Sequence, residues 1–182
     1  MSNSLATALG TIWFTGLSGA GKTTTAQRVV ELLRLENRHS ILLDGDELRS
    51  GLNRDLSFDR GSRAESARRT TEVALLASRS GSIAVVSLIS PYQSDRDIAR
   101  SRHAEAGVFF FEVFVDTPLQ ICEERDPKGL YLDARRSSNS AMTGVSDPYE
   151  VPRNPNLVLT PAIGDPDQMA KTVITAVATF LG

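Results

Sequence analysis

Eight residues near the amino end, Gly16-Leu17-Ser18-Gly19-Ala20-Gly21-Lys22-Thr23, have the composition and spacing of a phosphate cradle. Glycines let the backbone curl so that successive N–H groups converge on an anion, and a helix opening at the end of the loop adds its positive pole. Lys22 is spaced to reach the β- and γ-phosphates of a nucleoside triphosphate, and Thr23 offers a hydroxyl to Mg²⁺. The residues expected to contact the nucleotide are Gly16, Ser18, Gly19, Ala20, Gly21, Lys22, Thr23 and Thr24. A chance glycine-rich turn does not explain why strand, loop, lysine, hydroxyl and helix follow in the order the chemistry requires.

A second constellation follows the apolar run Ile41-Leu42-Leu43. Asp44-Gly45-Asp46-Glu47-Leu48-Arg49 sets acids and an arginine at the carboxyl end of a strand, where open α/β sheets bind their ligands. One acid can order the metal's water while another accepts a proton from an attacking hydroxyl. Alone, such a pair reads equally well as a solvated turn; the phosphate loop tilts the reading towards chemistry. That loop by itself does not separate a small-molecule kinase from a GTPase, a motor or a regulatory switch.

These residues need a scaffold. The run Ile12-Trp13-Phe14-Thr15 reads as a strand and Thr23 to Leu33 as a helix, the period changing across the glycines. Further short apolar runs at Ser40–Leu43, Ile83–Ile89, Phe109–Val115 and Leu157–Leu159 are spaced for crossover helices. The stretches 68–79, 95–106 and 169–181 read as helices. This predicts a three-layer P-loop α/β fold, a parallel sheet flanked by helices on both faces, with strand order left open. Residues 126–152, rich in charged and small residues, read as a mobile lid over the site or as an ordinary surface excursion.

The bulk numbers narrow the class. A chain of 182 residues with 41% hydrophobic composition supports one domain over 1–182. A net charge of -2 provides no basic field for nucleic acid or for an anionic membrane. The single cysteine, Cys122, excludes an internal disulfide and reads as packing, since Glu123 and Glu124 beside it disfavour a thiolate. Without a charged leader or a membrane-length apolar run, the expected location is cytoplasmic.

The chain resembles the adenylylsulfate kinases, which phosphorylate the 3′-hydroxyl of adenosine 5′-phosphosulfate (APS) with ATP. The resemblance rests on residues 16–23, Leu43-Asp44-Gly45-Asp46 with Arg49 and Gly51-Leu52-Asn53, and Ile89-Ser90-Pro91-Tyr92 with Asp95-Arg96. Asp126-Pro127-Lys128-Gly129-Leu130-Tyr131, Thr143-Gly144 and Pro148-Tyr149-Glu150 with Pro152 complete it. It implies ATP and Mg²⁺ as cofactors, a small-molecule nucleotide acceptor, sulfate assimilation as the setting and a homodimer. Asp46 matches the general base, and Asp44, with Thr23, the support of the metal. Arg49 and Arg63 match the arginines on the phosphosulfate, and Lys128 lies in the lid. Phe58 and Ile89 either line the acceptor nucleoside or belong to the core. Ser90 stands where some relatives carry phosphate, or is a local hydrogen-bonding residue. Lys22, Asp44, Asp46 and Ser90 form the catalytic set.

Departures cluster on the acceptor side. Ser62 and Ser66 replace an Asp and an Asn of the family pattern, Gln93 replaces an Arg, and Met142 replaces the Phe of the lid's Phe-Thr-Gly. Ser66 and Met142 therefore stand at substrate-binding positions with altered chemistry. The nucleotide side, 16–23 and Asp44, is intact. The expected activity is APS phosphorylation. The alternatives are a paralogue acting on another nucleotide, such as a cytidine or uridine diphosphate analogue carrying a phosphoramidate, and a regulatory module that binds nucleotide without turnover.

Overall fold

The computed structural model describes residues 9–136 and 142–182. Five parallel strands form one sheet: β1 (Gly10–Thr15), β2 (Ser40–Asp44), β3 (Ile83–Ser87), β4 (Phe109–Val115) and β5 (Leu157–Leu159), in the order β2-β3-β1-β4-β5. The helices are α1 (Lys22–Leu35), α2 (Gly45–Ser50), α3 (Arg60–Arg79), α4 (Gln93–Glu105), α5 (Leu119–Arg125), α6 (Leu130–Arg136) and α7 (Pro166–Leu181). All five strand runs read from the sequence are present. β3 stops at Ser87, two residues short of the run's end.

Alternation along the strands makes two cores. Ile12, Phe14, Ile83, Val85, Phe111 and Val113 pack with Val29 and Leu33 of α1 and Val173 and Val177 of α7. Trp13, Ala84, Val86 and Phe110 point to the opposite face, against Ala74 of α3 and Ala99 of α4. Helices thus cover both faces, the expected three layers.

Three helices start two or more residues before the sequence reading. α3 begins eight residues before 68, because the Asp59 side chain caps it by accepting from the Ser62 N–H. Its first turns are polar because they face a cleft, so no apolar period announces them. α7 begins at Pro166, where Asp165 and Gln168 form a reciprocal capping box. α4 begins at Gln93, whose N–H bonds the Glu150 carboxylate.

The 126–152 stretch holds more structure than its composition indicated. Tyr131 and Ala134 of α6 are buried, Thr143 bridges Asp147, and Glu150 N–H donates to the Pro91 carbonyl at 2.8 Å. Gly144 has φ 89°, and a Cβ there would lie 2.9 Å from the Leu17 side chain, so this turn packs directly on the phosphate loop. Residues 137–141 of the expected lid lie outside the described residues.

Candidate active site

The five strands end on one side of the sheet, and there a cleft of about 650 Å³ opens. Its floor is the turn from β1 into α1. Gly19 takes φ 74°, and a Cβ would lie 3.0 Å from the Cys122 carbonyl, so only glycine lets the loop curl against α5. Ser18 through Thr25 line the cleft. Gly16, expected among the nucleotide contacts, does not line it. It sits behind the loop at φ 148°, and a Cβ would meet the Val115 carbonyl at 2.7 Å, so its role is close packing of the loop on β4.

Lys22 is buried at the loop's mouth, its Nζ donating to the carbonyls of Gly16 (2.9 Å) and Leu17 (2.7 Å). Burial pushes its pKa down to about 8. A polyphosphate beside it would reverse that shift, since an anion favours the charged form.

Asp44 is fixed at both oxygens. As the N-cap of α2 it accepts the Asp46 N–H at Oδ1 (3.0 Å), and Oδ2 accepts the Thr23 hydroxyl at 2.7 Å. The Ser87 hydroxyl lies 3.1 Å from that of Thr23. Among the described residues no group of three or more His, Cys, Asp or Glu could hold a metal ion. Two hydroxyls and one carboxylate suit an ion completed by phosphate oxygens and water, the habit of Mg²⁺, so the donor set fits.

Asp46 stands at the cleft mouth, its carboxylate paired with the Lys128 ammonium from the segment between α5 and α6. Beyond it lies an arginine-aromatic group. The Arg49 guanidinium sits 4.1 Å from the Phe58 ring centroid and bonds the Ser57 carbonyl at 3.1 Å. Arg63 is 5.9 Å from the same ring, bonds the Phe58 carbonyl at 2.7 Å, and lies 3.6 Å from Asp147. Burial holds both guanidinium pKa values below the ordinary value. Phe58 is 54% exposed, which places it on the cleft and outside the core. Ile89 also lines the cleft.

Ser66 lines the cleft and its hydroxyl accepts from the buried Asn53 amide at 3.0 Å. Ser90 follows β3 with φ 37°; its Oγ accepts from Trp13 Nε1 at 3.1 Å, and its carbonyl accepts from Arg96 at 2.7 Å. Met142 is placed differently from the other expected acceptor residues. Expected beside the acceptor, it is buried in the core with Tyr131 and Ala134 and does not line the cleft. Its carbonyl takes the N–H groups of Val145, Ser146 and Asp147, a tight turn that draws its side chain inward.

Several cleft residues had no reading in the sequence. Ser87 is a lone hydroxyl ending an apolar strand, and nothing local distinguishes it. Arg125, which bonds the Gly19 carbonyl at 3.3 Å, immediately precedes the Asp126-Pro127-Lys128 string, and that adjacency was its available signal. Gly164, Pro166 and Met169 reach the cleft through the turn into α7, far from the motifs.

A phosphate loop at the carboxyl ends of a parallel sheet, facing two aspartates and an arginine pair, defines a P-loop phosphotransferase. The chain belongs to the adenylylsulphate kinase family, whose model matches residues 9–160. It is 50% identical over 149 residues to the adenylyl-sulfate kinase of Saccharomyces cerevisiae, covering 82% of this chain and 74% of that one. It is 51% identical over 151 residues to the bifunctional enzyme CysN/CysC of Mycobacterium tuberculosis, covering 83% of this chain but only 25% of that longer protein. Among solved structures, the M. tuberculosis APS kinase CysC in complex with AMPPNP and APS is 48% identical with a TM-score of 0.90, covering 93% of this chain and 98% of that one.

Proposed function

We propose that the chain transfers the γ-phosphoryl group of ATP to the 3′-hydroxyl of adenosine 5′-phosphosulfate. The observation that carries this is one cleft with two differently built halves: the phosphate loop with Asp44 and Thr23 on one side, and Arg49, Phe58 and Arg63 on the other. The solved mycobacterial relative holds AMPPNP and APS together, and the chain's similarity to it supports the same pairing of ligands here.

The loop N–H groups and Lys22 grip the polyphosphate, and Thr23 and Asp44 hold the metal. Bound there, Mg²⁺ would supply positive charge that offsets the negative charge developing on the phosphate oxygens. Asp46 accepts the proton of the attacking hydroxyl, and Lys128 beside it supplies positive charge where the phosphoryl group crosses. Arg49 and Arg63 grip the acceptor's phosphosulfate while Phe58 offers a ring face to its base. Ser66 presents a hydroxyl, positioned by Asn53, where the family has an amide.

Residues 1–182 act in this reading as one kinase domain in the cytoplasm, assembled as a homodimer that sedimentation equilibrium would detect. Among the described residues no helix is long and apolar enough to cross a membrane. Ser62 and Ser66 favour, as a second reading, a related nucleotide acceptor. An assay coupled to ADP release, offering APS beside cytidine and uridine diphosphate analogues, separates the two. Turnover of APS above a Lys22→Ala control is expected. Turnover of another nucleotide alone would reject the APS assignment, and ATP binding without turnover of any acceptor would point to a regulatory module.

A further inference from the structure

Ser87 is the last residue of β3, only 3% exposed, yet it lines the cleft. Its register partner on the neighbouring parallel strand is Asp44, so the sheet itself sets the two side by side at their carboxyl ends. Thr23, at the first turn of α1, faces both: Oγ1 is 2.7 Å from Asp44 Oδ2 and 3.1 Å from Ser87 Oγ. A hydroxyl ending a strand commonly bonds a nearby backbone carbonyl. The Ser87 hydroxyl instead meets the hydroxyl that the loop presents to the metal.

The spacing matters. Mg²⁺ takes octahedral oxygens at about 2.0–2.1 Å, which sets adjacent ligand atoms about 2.8–3.0 Å apart. The Thr23–Ser87 separation of 3.1 Å lies within about 0.3 Å of that edge. The Thr23 proton goes to Asp44, which leaves an oxygen lone pair of Thr23 for the ion, and the Ser87 oxygen can turn a lone pair to the same point.

We propose that Ser87 Oγ is a direct ligand of the magnesium ion, adjacent to Thr23 Oγ1, with Asp44 holding both the Thr23 proton and a metal-bound water. This rests on the reading of the cleft as an ATP·Mg²⁺ site and adds to it a ligand that the loop motif does not contain. Sheet register, not loop sequence, then completes the metal site. A merely structural role, in which Ser87 only orients the Thr23 hydroxyl, makes a different set of outcomes.

The test measures ATP affinity of the full chain by calorimetry, with and without Mg²⁺, for wild type, Ser87→Ala and Ser87→Cys. For Ser87→Ala, metal-free ATP affinity should stay within about twofold while the gain on adding Mg²⁺ shrinks about tenfold or more, the scale of lost metal-site support. For Ser87→Cys, Cd²⁺ should restore the gain better than Mg²⁺ and give an ultraviolet thiolate–cadmium band absent from wild type, because a soft thiolate prefers a soft ion. The buried Cys122 of the wild type serves as the control for that band. Full Mg²⁺ enhancement in Ser87→Ala, equal losses with and without metal, or no cadmium band in Ser87→Cys would each overturn direct ligation. Failure of wild type to bind ATP with Mg²⁺ would instead sink the underlying reading.

Discussion

The cleft's acceptor wall hangs on one buried guanidinium, and Arg96→Met tests that dependence. Arg96 is 1% exposed and donates to the carbonyls of Ser90 (2.7 Å) and Glu150 (2.7 Å) and to Gln93 Oε1 (2.9 Å). Its Nε lies 2.9 Å from Glu112 Oε1, close enough for ion pairing though the N–H is not aligned for a hydrogen bond. Removing one partner of a buried ion pair costs about 3–5 kcal/mol, because the remaining charge stays buried without compensation. Glu112 keeps Arg100 at 2.6 Å, so the lower end, about 3 kcal/mol, applies. For a chain of this size that lowers Tm by about 6–12 °C. Scanning calorimetry reads this directly, and Arg96→Met/Glu112→Met should recover at least half the loss. Acceptor KM should rise more than ATP KM, since Arg96 bonds the Ser90 and Glu150 carbonyls directly and reaches the phosphate loop only indirectly, through the Thr15 hydroxyl on the Ser90 carbonyl. A single variant within about 1 kcal/mol of wild type, or a double variant no better than the single, would refute this reasoning.

Asp46→Ala should lower turnover by about 10²–10⁴, the usual contribution of a positioned base, with ATP affinity nearly unchanged, and steady-state kinetics beside calorimetry would decide it. Phe58→Ala removes an exposed ring that contacts Arg49, and should raise acceptor KM by about tenfold or more with ATP KM unaltered, as expected for loss of one base–aromatic stack. Burial holds the Lys22 pKa down to about 8; phosphate binding raises that value, so ATP affinity should be full below pH 8 and fall as pH rises past it. Lys22→Met should bind weakly at every pH, and a wild-type affinity flat from pH 7 to 9.5 would contradict the role of burial. His103 is fully buried between Thr11 Oγ1 and the Ala99 carbonyl, each 2.7 Å away, and burial lowers its pKa below the ordinary 6.5. The unfolded chain therefore binds the proton more readily, so this histidine's contribution is present above about pH 6.5 and is lost as pH falls through the folded value. Urea midpoints should drop between pH 7 and pH 5 more in wild type than in His103→Gln.

Much of this protein lies in its sequence because the governing physics is local. A curled loop between a strand and a helix needs glycines at particular steps, and the lysine and hydroxyl must follow at once; residues 16–23 meet both conditions within one turn of chain. The five strands announced themselves through apolar runs, and Asp44 through its place at the end of one. What only the tertiary structure decided are relations between distant segments. The order β2-β3-β1-β4-β5 depends on which helix covers which face, information no single run contains. Met142 stands at the position of the family's lid phenylalanine, yet its side chain packs in the core. Ser87 is one hydroxyl in an apolar strand until parallel register sets it beside Asp44 and the packing of α1 brings Thr23 within 3.1 Å. A motif records what one stretch of backbone must do for itself, whereas a site assembled across strands exists only once the sheet has chosen its neighbours.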